Sequence, residues 1–121
     1  VLGDIINSDP LFVQDEDFGY EALLPGSVEA AQYPAFLATK SMRMPMVYVG
    51  ANDGMLHALS AQGADGGAEL WAYIPTAVMP NLYRLADSNY GFNHQYYVDG
   101  APVMGDIKVG TGKNSNISAC K

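Results

Sequence analysis

The sequence predicts a mainly β domain built from short antiparallel strands. Its 121 residues include 13 glycines and 7 prolines, a content that suits many strands joined by turns. Hydrophobic residues make up 49% of the chain and charged residues 16%, so the chain can bury a core and is not a disordered tail. Three short apolar runs follow one another between residues 46 and 74, and glycine-containing turns separate them.

The charge balance excludes one class of partner. Thirteen acidic residues against six basic ones give a net charge of −7, whereas nucleic-acid binding requires a basic surface. The one cysteine, Cys120, can form no internal disulfide and lacks the neighbours of a zinc site. No apolar run approaches the roughly 18–20 residues that span a bilayer. The chain starts at Val1, inside a predicted strand, so we expect it to be a piece of a longer protein, and a missing targeting segment is uninformative.

The first predicted elements are an extended segment and an insertion. Val1–Val13 is rich in apolar residues and is predicted to be an outer strand. The stretch Gln14–Met44 is irregular and is predicted to be a surface insertion between strands. Within it, Ser27 is suited to cap a short helix over residues 28–31. Tyr33-Pro34 should end that helix, because the residue before a proline avoids helical geometry.

Three strands then follow in close succession. Met46–Gly50 and Met55–Ser60 are joined by Asn52-Asp53-Gly54. Asp-Gly is a strong hairpin signal because glycine adopts a positive φ without a Cβ clash. The third strand, Ala68–Ile74, follows a longer glycine-rich turn. Both faces of these strands carry apolar side chains, which predicts a sheet covered on both sides.

The last part of the chain is predicted to form a helix, a strand and a tail. The helix Thr76–Asp87 has Thr76 as its N-cap, Pro80 in or near the first turn, and apolar residues at helical spacing. His94–Val109 is a second extended segment. Residues 110–121 are polar without periodicity and are predicted to be loop.

The order of these elements indicates a repeat. Gly3-Asp4-Ile5 near the start returns as Gly105-Asp106-Ile107 near the end, each in an extended segment that contains a proline. An outer segment, three hairpin-linked strands and a second outer segment fit the four-stranded antiparallel blade of a β-propeller. Residues 1–109 are therefore predicted to be one blade plus flanking strands of a β-propeller, with a short helical insertion, and residues 110–121 a polar tail.

Four motifs in this order carry a family resemblance: "GDIINSDP", "PMVYVGANDGMLHAL", "ELWAYIP" and "YYVDGAPVMGDI". The hairpin and the tryptophan-containing strand resemble the repeat of quinoprotein-type β-propellers. Together the motifs resemble the C-terminal propeller of PilY/PilC-type proteins of type IV pili, over about Val1–Ile107. The sequence departs from the pattern in two places: the turn Gln62–Gly67 is longer than usual, and the pattern stops after Ile107.

The resemblance implies a non-enzymatic scaffold and adhesion module of the cell envelope, placed at the pilus tip or the outer membrane surface. It implies roles in pilus assembly, in control of retraction and in attachment, with pilus subunits and a host or abiotic surface as partners. The insertion 14–44 and the helix 76–87 are the predicted contact elements. It further implies that Trp71 docks between blades, and that the complete domain holds calcium in a loop of spaced aspartates. That loop is absent from this sequence, and no cofactor is predicted here.

Neither histidine is predicted to be catalytic. His57 lies mid-strand, four residues after Asp53, but the tight turn between them breaks the strand register. A general base needs a partner within hydrogen-bond reach and a pocket, so we predict a partly buried histidine bonded to backbone. His94 has no evident acidic partner and is also predicted to be structural. Asp53-Gly54 and Asp99-Gly100 are predicted to serve turn geometry.

Asp15, Glu16 and Asp17 are the candidate metal ligands, because calcium takes several carboxylate oxygens. Consecutive residues point in different directions, however, and the spaced D-x-[DN]-x-[DN]-G pattern is absent. A solvated acidic loop is the prediction.

Two other functions stay open at this point. One is a blade of a quinoprotein dehydrogenase that uses pyrroloquinoline quinone and calcium. That class needs a vicinal cysteine pair, a stacking tryptophan and a spaced acidic site, whereas this chain has one cysteine and one tryptophan. The other is a generic scaffold propeller of an envelope assembly machine, which would lack the "YYVDG" segment and the helix before it.

Overall fold

The structure is a computed structural model that describes residues 2–23, 25–109 and 112–118, with side chains through residue 107. The predictions for Val1 and for the Cys120 thiol lie outside the described residues.

The centre of the fold is a four-stranded antiparallel sheet in the order β1-β2-β3-β4. Its strands are β1 (Leu11–Val13), β2 (Met46–Ala51), β3 (Met55–Ser60) and β4 (Glu69–Tyr73). β1 pairs with the first half of β2, and β2 pairs with β3 along its whole length. The sheet is the predicted blade: three hairpin-linked strands completed by one outer strand from the preceding segment.

The β2–β3 turn is held by its glycine. Gly54 has a φ of +87°, and its N–H donates to the Ala51 carbonyl at 3.1 Å. A Cβ at this position would overlap Cδ2 of Leu82, so the turn is also packed tightly against the segment that follows β4. The positive φ favours glycine here, and a larger residue would also have to displace the end of the Leu82 side chain.

The core lies on the two inner strands. Met46, Tyr48, Leu56 and Ala58 form a buried cluster on one face. Val49 and His57, which are register partners, are buried on the other face. β4 differs, because its apolar residues remain roughly half exposed: Leu70, Trp71 and Tyr73. Coverage on both sides, as predicted, therefore holds for β2 and β3 and not for the edge strand β4 within the described residues.

The insertion is more helical than predicted. It contains α1 (Tyr20–Leu23) and α2 (Val28–Lys40). Ser27 caps α2 as expected, with its hydroxyl accepting from the Ala30 N–H at 3.0 Å. The prediction that Pro34 ends the helix is wrong, since Pro34 lies inside it. A proline removes one backbone hydrogen bond, and burial of the side chains on both sides of it offsets that loss.

The helix predicted over 76–87 is a 3₁₀ helix, Met79–Ala86, and its N-cap is Val78 and not Thr76. Pro80 occupies an early position, as expected. Met79, Leu82 and Leu85 recur every three residues, which matches the three residues per turn of a 3₁₀ helix. Two shorter 3₁₀ helices lie at Gly63–Asp65, before β4, and at Tyr90–Phe92.

The two outer segments form less strand than predicted. In the first, only β1 is strand, because residues 2–10 make isolated bonds to the end of β2 and to its turn instead of a main-chain ladder. The Asp4 carbonyl accepts from the Asn52 N–H, and the Ser8 hydroxyl accepts from the Gly50 N–H, both at 2.9 Å. In the second, the strand is β5 (Val103–Val109), and residues 94–102 are irregular.

The predicted polar loop 110–121 contains a strand. β6 (Gly112–Ser118) pairs antiparallel with β5, from Val109 opposite Gly112 to Val103 opposite Ser118. The prediction failed because a two-stranded ladder is bonded through main-chain groups and needs no apolar periodicity.

Candidate functional site

The Asp53 carboxylate joins three parts of the chain. Its Oδ1 accepts from the Met55 N–H at 3.1 Å, which is the local bond expected of an aspartate in a turn. Its Oδ2 accepts from the N–H of Gly3, fifty residues away, at 2.9 Å. A Cβ on Gly3 would lie 2.7 Å from the Cβ of Asp53, so only glycine allows this approach. Asp53 therefore fixes the N-terminal segment to the hairpin, in addition to shaping the turn.

His57 is bonded to this same carboxylate. Its Nε2 lies 2.9 Å from Oδ2 and 3.1 Å from Oδ1 of Asp53, and the residue is 1% exposed. The prediction of a partly buried, backbone-bonded histidine is therefore wrong. The turn folds Asp53 back over the strand, so the broken register does not separate the pair. Nδ1 lies 3.4 Å from Oε2 of Glu69, close enough for an electrostatic contact but without hydrogen-bond alignment.

The buried acid–histidine pair is a structural junction. The carboxylate already accepts from two main-chain N–H groups as well as from the imidazole. Neither side chain lines the two cavities described below. A general base must reach a substrate proton, and this imidazole is enclosed. His94 lies elsewhere, exposed, between the rings of Tyr90 and Tyr96, each 5.3 Å from its own.

A second buried junction, here called the Lys40 clamp, ties the insertion to β5. Its members are Lys40, Asp106, Tyr33 and the carbonyl of Glu16. Lys40 Nζ lies 2.7 Å from Oδ2 of Asp106, with the two side chains only 2% and 6% exposed. The ammonium also donates to the Glu16 carbonyl and sits 4.8 Å from the centroid of the Phe18 ring. The buried charge thus has a counter-ion, a carbonyl acceptor and an aromatic face.

Tyr33 completes the clamp. Its hydroxyl donates to Oδ2 of Asp106 at 3.1 Å and accepts from the Phe18 N–H at 3.0 Å. Burial raises the pKa of Tyr33 to about 12, and the hydrogen bond from the Phe18 N–H opposes that rise. The phenol therefore stays protonated as a donor throughout the neutral range.

Sequence reasoning missed the clamp, although a signal for it exists. Ala30, Tyr33, Phe36 and Lys40 recur at helical spacing and are the buried residues of α2. A lysine that continues an apolar stripe must find a partner, because a buried unpaired charge is costly. The sequence does not show which carboxylate supplies it, since Asp106 lies 66 residues further along.

Beside the clamp lies a small cavity of about 170 Å³ between the sheet, the insertion and β5. Three methionines line it (Met44, Met46 and Met104), together with Tyr48 and the cations Lys40 and Arg43. Arg43 packs over the Phe36 ring at 5.3 Å. The cavity belongs to the junction that holds the insertion in place.

A larger and more open cleft of about 320 Å³ follows the blade. The 3₁₀ helix Met79–Ala86 and the segment after it enclose the cleft. Its lining residues are Tyr83, Arg84, Asp87, Tyr90, Asn93 and Gln95. Half of the predicted contact helix thus contributes to an exposed surface, whereas the other predicted contact element, the insertion, turns its buried side chains toward the clamp.

The remaining predicted residues have simpler surroundings. Trp71 is 45% exposed on β4 and packs against Tyr48, with ring centroids 5.7 Å apart. Asp99 accepts from the Asn7 side chain at 2.9 Å, and Gly100 does not adopt a positive φ, so this pair is not a second Asp-Gly hairpin turn. The sequence dipeptide alone does not fix the turn, because no strand ladder flanks it here.

In the acidic cluster, Asp17 caps the Gly19 N–H at 2.8 Å and Glu16 supplies its carbonyl to Lys40. Among the described residues, no group of three or more histidine, cysteine, aspartate or glutamate side chains is placed to hold a metal ion.

α2, with 13 residues, is the longest described helix, and no helix in this part of the chain is long and apolar enough to cross a membrane.

The chain matches a known protein family over nearly its whole length. The family model described as the PilY1 beta-propeller domain matches residues 2–118. The chain belongs to the PilY1 β-propeller family. The resemblance drawn from the four motifs is thereby confirmed, together with the mainly β propeller fold. The prediction that the family pattern stops after Ile107 is wrong, because the match continues through β6.

Curated relatives agree with this membership. A type IV pilus biogenesis factor PilY1 homolog of Xylella fastidiosa (strain Temecula1 / ATCC 700964) is 47% identical over 107 residues, which cover 88% of this chain and 8% of the relative. The type IV pilus biogenesis factor PilY1 of Pseudomonas aeruginosa strain PAO1 is 43% identical over 112 residues, which cover 91% of this chain and 9% of the relative. This PilY1-family chain therefore spans less than a tenth of the length of these relatives. No solved structure matches it.

Proposed function

We propose that this chain is part of a non-enzymatic propeller module that acts in type IV pilus biogenesis. The observation that carries the proposal is the match of residues 2–118 to the PilY1 propeller family, whose curated relatives are named type IV pilus biogenesis factors. The proposed location is the cell envelope or cell surface, at the pilus tip or the outer membrane surface. The proposed roles are assembly of the pilus, opposition to its retraction, and attachment.

The internal bonding supports a scaffold role. Each buried charged or titratable side chain of the two junctions is engaged in bonds within the chain: Asp53 with His57, and Lys40 with Asp106. Such bonding stiffens a fold and leaves these groups unavailable for chemistry on a substrate. The groups that remain available lie on the surface after the blade, around the open cleft. Pilus subunits and a host or abiotic surface are the proposed partners.

We also propose that calcium, if it serves the complete domain, is held by residues beyond this segment. The acidic side chains here are dispersed or used as caps: Asp17 caps Gly19, and Asp87 caps Asn89. Calcium takes six to eight oxygens, which a single such carboxylate cannot supply.

The test uses a piliated bacterium that lacks its own copy of the gene for the complete protein. It is complemented with the wild type or with a variant in which residues 83–95, which contain the whole cleft lining, are replaced by a Gly/Ser linker of equal length. Surface pilin is measured in sheared fractions, with and without an active retraction motor, and attachment to glass and to epithelial cells is counted. We expect the deletion strain to lose surface pili when the motor is active and to regain them when it is disabled.

The linker variant separates the two proposed roles. We expect it to restore surface pili and to leave attachment low, because the blade and its junctions lie outside the replaced segment. Unchanged piliation in the deletion strain would overturn the assembly role. Turnover of an alcohol by the purified complete protein with pyrroloquinoline quinone and calcium would overturn the non-enzymatic assignment in favour of a quinoprotein dehydrogenase.

A further inference from the structure

The cleft after the blade has a fixed frame of polar side chains. Arg84 donates from Nη1 to Oε1 of Gln95 at 3.1 Å and from Nε to the Tyr83 hydroxyl at 3.4 Å. The Tyr90 hydroxyl donates to the Gln95 carbonyl at 3.2 Å. The two sides of the cleft, the 3₁₀ helix Met79–Ala86 and the segment near Gln95, are therefore tied together. Because these side chains are already ordered before a ligand binds, the entropic cost of ordering them on binding is lower.

Several polar atoms of this frame face no partner in the part of the chain that the structure describes. Arg84 uses two of its five N–H groups, and the side-chain NH₂ of Gln95 donates to nothing described. Asp87 uses Oδ1 to cap the Asn89 N–H and keeps its second oxygen. The Asn93 amide makes no hydrogen bond there. The cleft thus offers donors and acceptors side by side on planar groups: one guanidinium, one carboxylate and two amides.

Aromatic faces complete the lining. Tyr83 is 70% exposed, and the Arg84 guanidinium lies 5.9 Å from its ring centroid. The Tyr90 ring is partly buried and supported by His94 at 5.3 Å. An aromatic face is apolar and carries partial negative charge, so it attracts polarised C–H groups as well as cations.

These three features together define the chemistry of the ligand. The volume of the cleft, about 320 Å³, lies at the lower end of the range for small-molecule sites, roughly 300–1,000 Å³. One arginine and one aspartate leave the lining without net charge, which disfavours an anion such as phosphate. The most exposed apolar side chain of the segment, Phe92 at 92%, does not line the cleft, which disfavours an apolar peptide.

We propose that this cleft binds one or two pyranose rings of a neutral saccharide. A pyranose presents adjacent hydroxyls, which suit the paired donors and acceptors of Arg84, Asp87 and Asn93. It also presents a face of C–H groups, which suits the Tyr83 ring. The inference deepens the attachment role proposed above and rests on it for its biological meaning, while its chemistry rests on the cleft alone.

The experiment is ligand-observed saturation-transfer NMR on the purified complete protein. The probes are four methyl glycosides, those of glucose, mannose, galactose and N-acetylglucosamine. We expect transfer to the ring protons of at least one probe, with a dissociation constant on the order of 1 mM for a ligand of about a dozen heavy atoms. Tyr83→Ala and Asp87→Asn should each weaken binding about tenfold or more. Both sites are exposed, so neither change threatens the fold.

Phe92→Ala is the matched control, since it removes a more exposed ring, at the end of the short helix Tyr90–Phe92, without touching the lining. It should leave the dissociation constant unchanged within about twofold. The proposal is overturned if no probe binds the wild type, if Phe92→Ala weakens binding as much as Tyr83→Ala, or if inorganic phosphate displaces the bound glycoside. Normal piliation beside absent glycoside binding would reject the saccharide site alone, whereas the deletion test above addresses the proposed function separately.

Discussion

The Lys40 clamp gives the sharpest test of how the insertion is held. Replacing Asp106 with asparagine keeps the size and the hydrogen-bonding capacity of the side chain and removes its charge. Lys40 would then be left 2% exposed without a counter-ion, with neutral groups such as the Glu16 carbonyl and the rings of Phe18 and Phe36 beside its ammonium. We expect the docking of α2 onto β5 to weaken strongly.

The magnitude follows from the burial of both partners. Removing one member of a buried ion pair typically costs about 3–5 kcal/mol. We take the lower end, about 3 kcal/mol, because asparagine can still accept from Tyr33. Since 1.4 kcal/mol corresponds to a tenfold change, the equilibrium for local opening of α2 should rise roughly a hundredfold.

Hydrogen exchange followed by mass spectrometry on the complete protein reads this opening locally, and peptides over residues 28–40 should exchange about a hundredfold faster in Asp106→Asn. Asp99→Asn is the matched control. Asp99 accepts from Asn7 at an exposed site and has no buried cation beside it, so its change should stay within about 0.5 kcal/mol. Adding Lys40→Met to Asp106→Asn removes the unpaired charge and should restore most of the protection.

Two results would refute this reasoning. One is a change below about tenfold in the exchange of residues 28–40 on Asp106→Asn. The other is a double variant whose loss equals the sum of the two single losses, since an ion pair requires that the two changes couple.

Three further predictions concern other parts of the fold. Gly54→Ala should lower stability by about 1–3 kcal/mol, because its φ of +87° is strained for alanine and its Cβ would meet Leu82; thermal unfolding measures this. Tyr33 has a pKa of about 12 against 10.0 unfolded, so its contribution to stability is complete below pH 10 and is lost as the pH rises to about 12; urea unfolding from pH 9 to 12 should show a larger loss in wild type than in Tyr33→Phe. The isolated 121-residue chain should associate or fold only in part, because β4 leaves apolar side chains such as Trp71 uncovered; sedimentation velocity at several concentrations tests this.

Each of these has a contrary outcome. Gly91 has no atom within 4 Å of a Cβ and no positive φ, so Gly91→Ala should be neutral, and an equal loss at both glycines would remove the argument from turn geometry. Equal loss of stability in wild type and Tyr33→Phe above pH 10 would show that the fold does not raise the pKa of Tyr33. A sharp, reversible and concentration-independent transition of a monomeric isolated chain would contradict the need for neighbouring blades.

The blade hairpin was predictable because its signals are local. The Asp-Gly turn and the apolar runs on both sides of it lie within fifteen residues, and the structure has β3 at the predicted bounds and β2 one residue longer. The fold class followed from the order of such elements. The tail was not predictable, because β6 is specified by main-chain pairing with β5.

The pairing partners in the two junctions could not be predicted, for a different reason. Asp53 was assigned to turn geometry, and that role accounts for one of its bonds, to Met55. Its bond to Gly3 depends on the path of the N-terminal segment past the hairpin, and its bond to His57 depends on how the turn folds back over β3. Residue type and spacing do not contain that path. The same limit applies to Lys40, whose helix continued through a proline that local rules place at a helix end.

The distance in sequence between the members of the clamp has a consequence for the order in which the chain assembles. The hairpin closes over a few residues and can form early, since short loops close fast and at little entropic cost. We expect α2 to dock only once Asp106, 66 residues after Lys40, is in place. Until then the lysine keeps its end of the helix hydrated, because burying it unpaired is unfavourable. The buried charge therefore sets an expected order of folding, in which α2 docks only after β5 has taken its place beside the sheet.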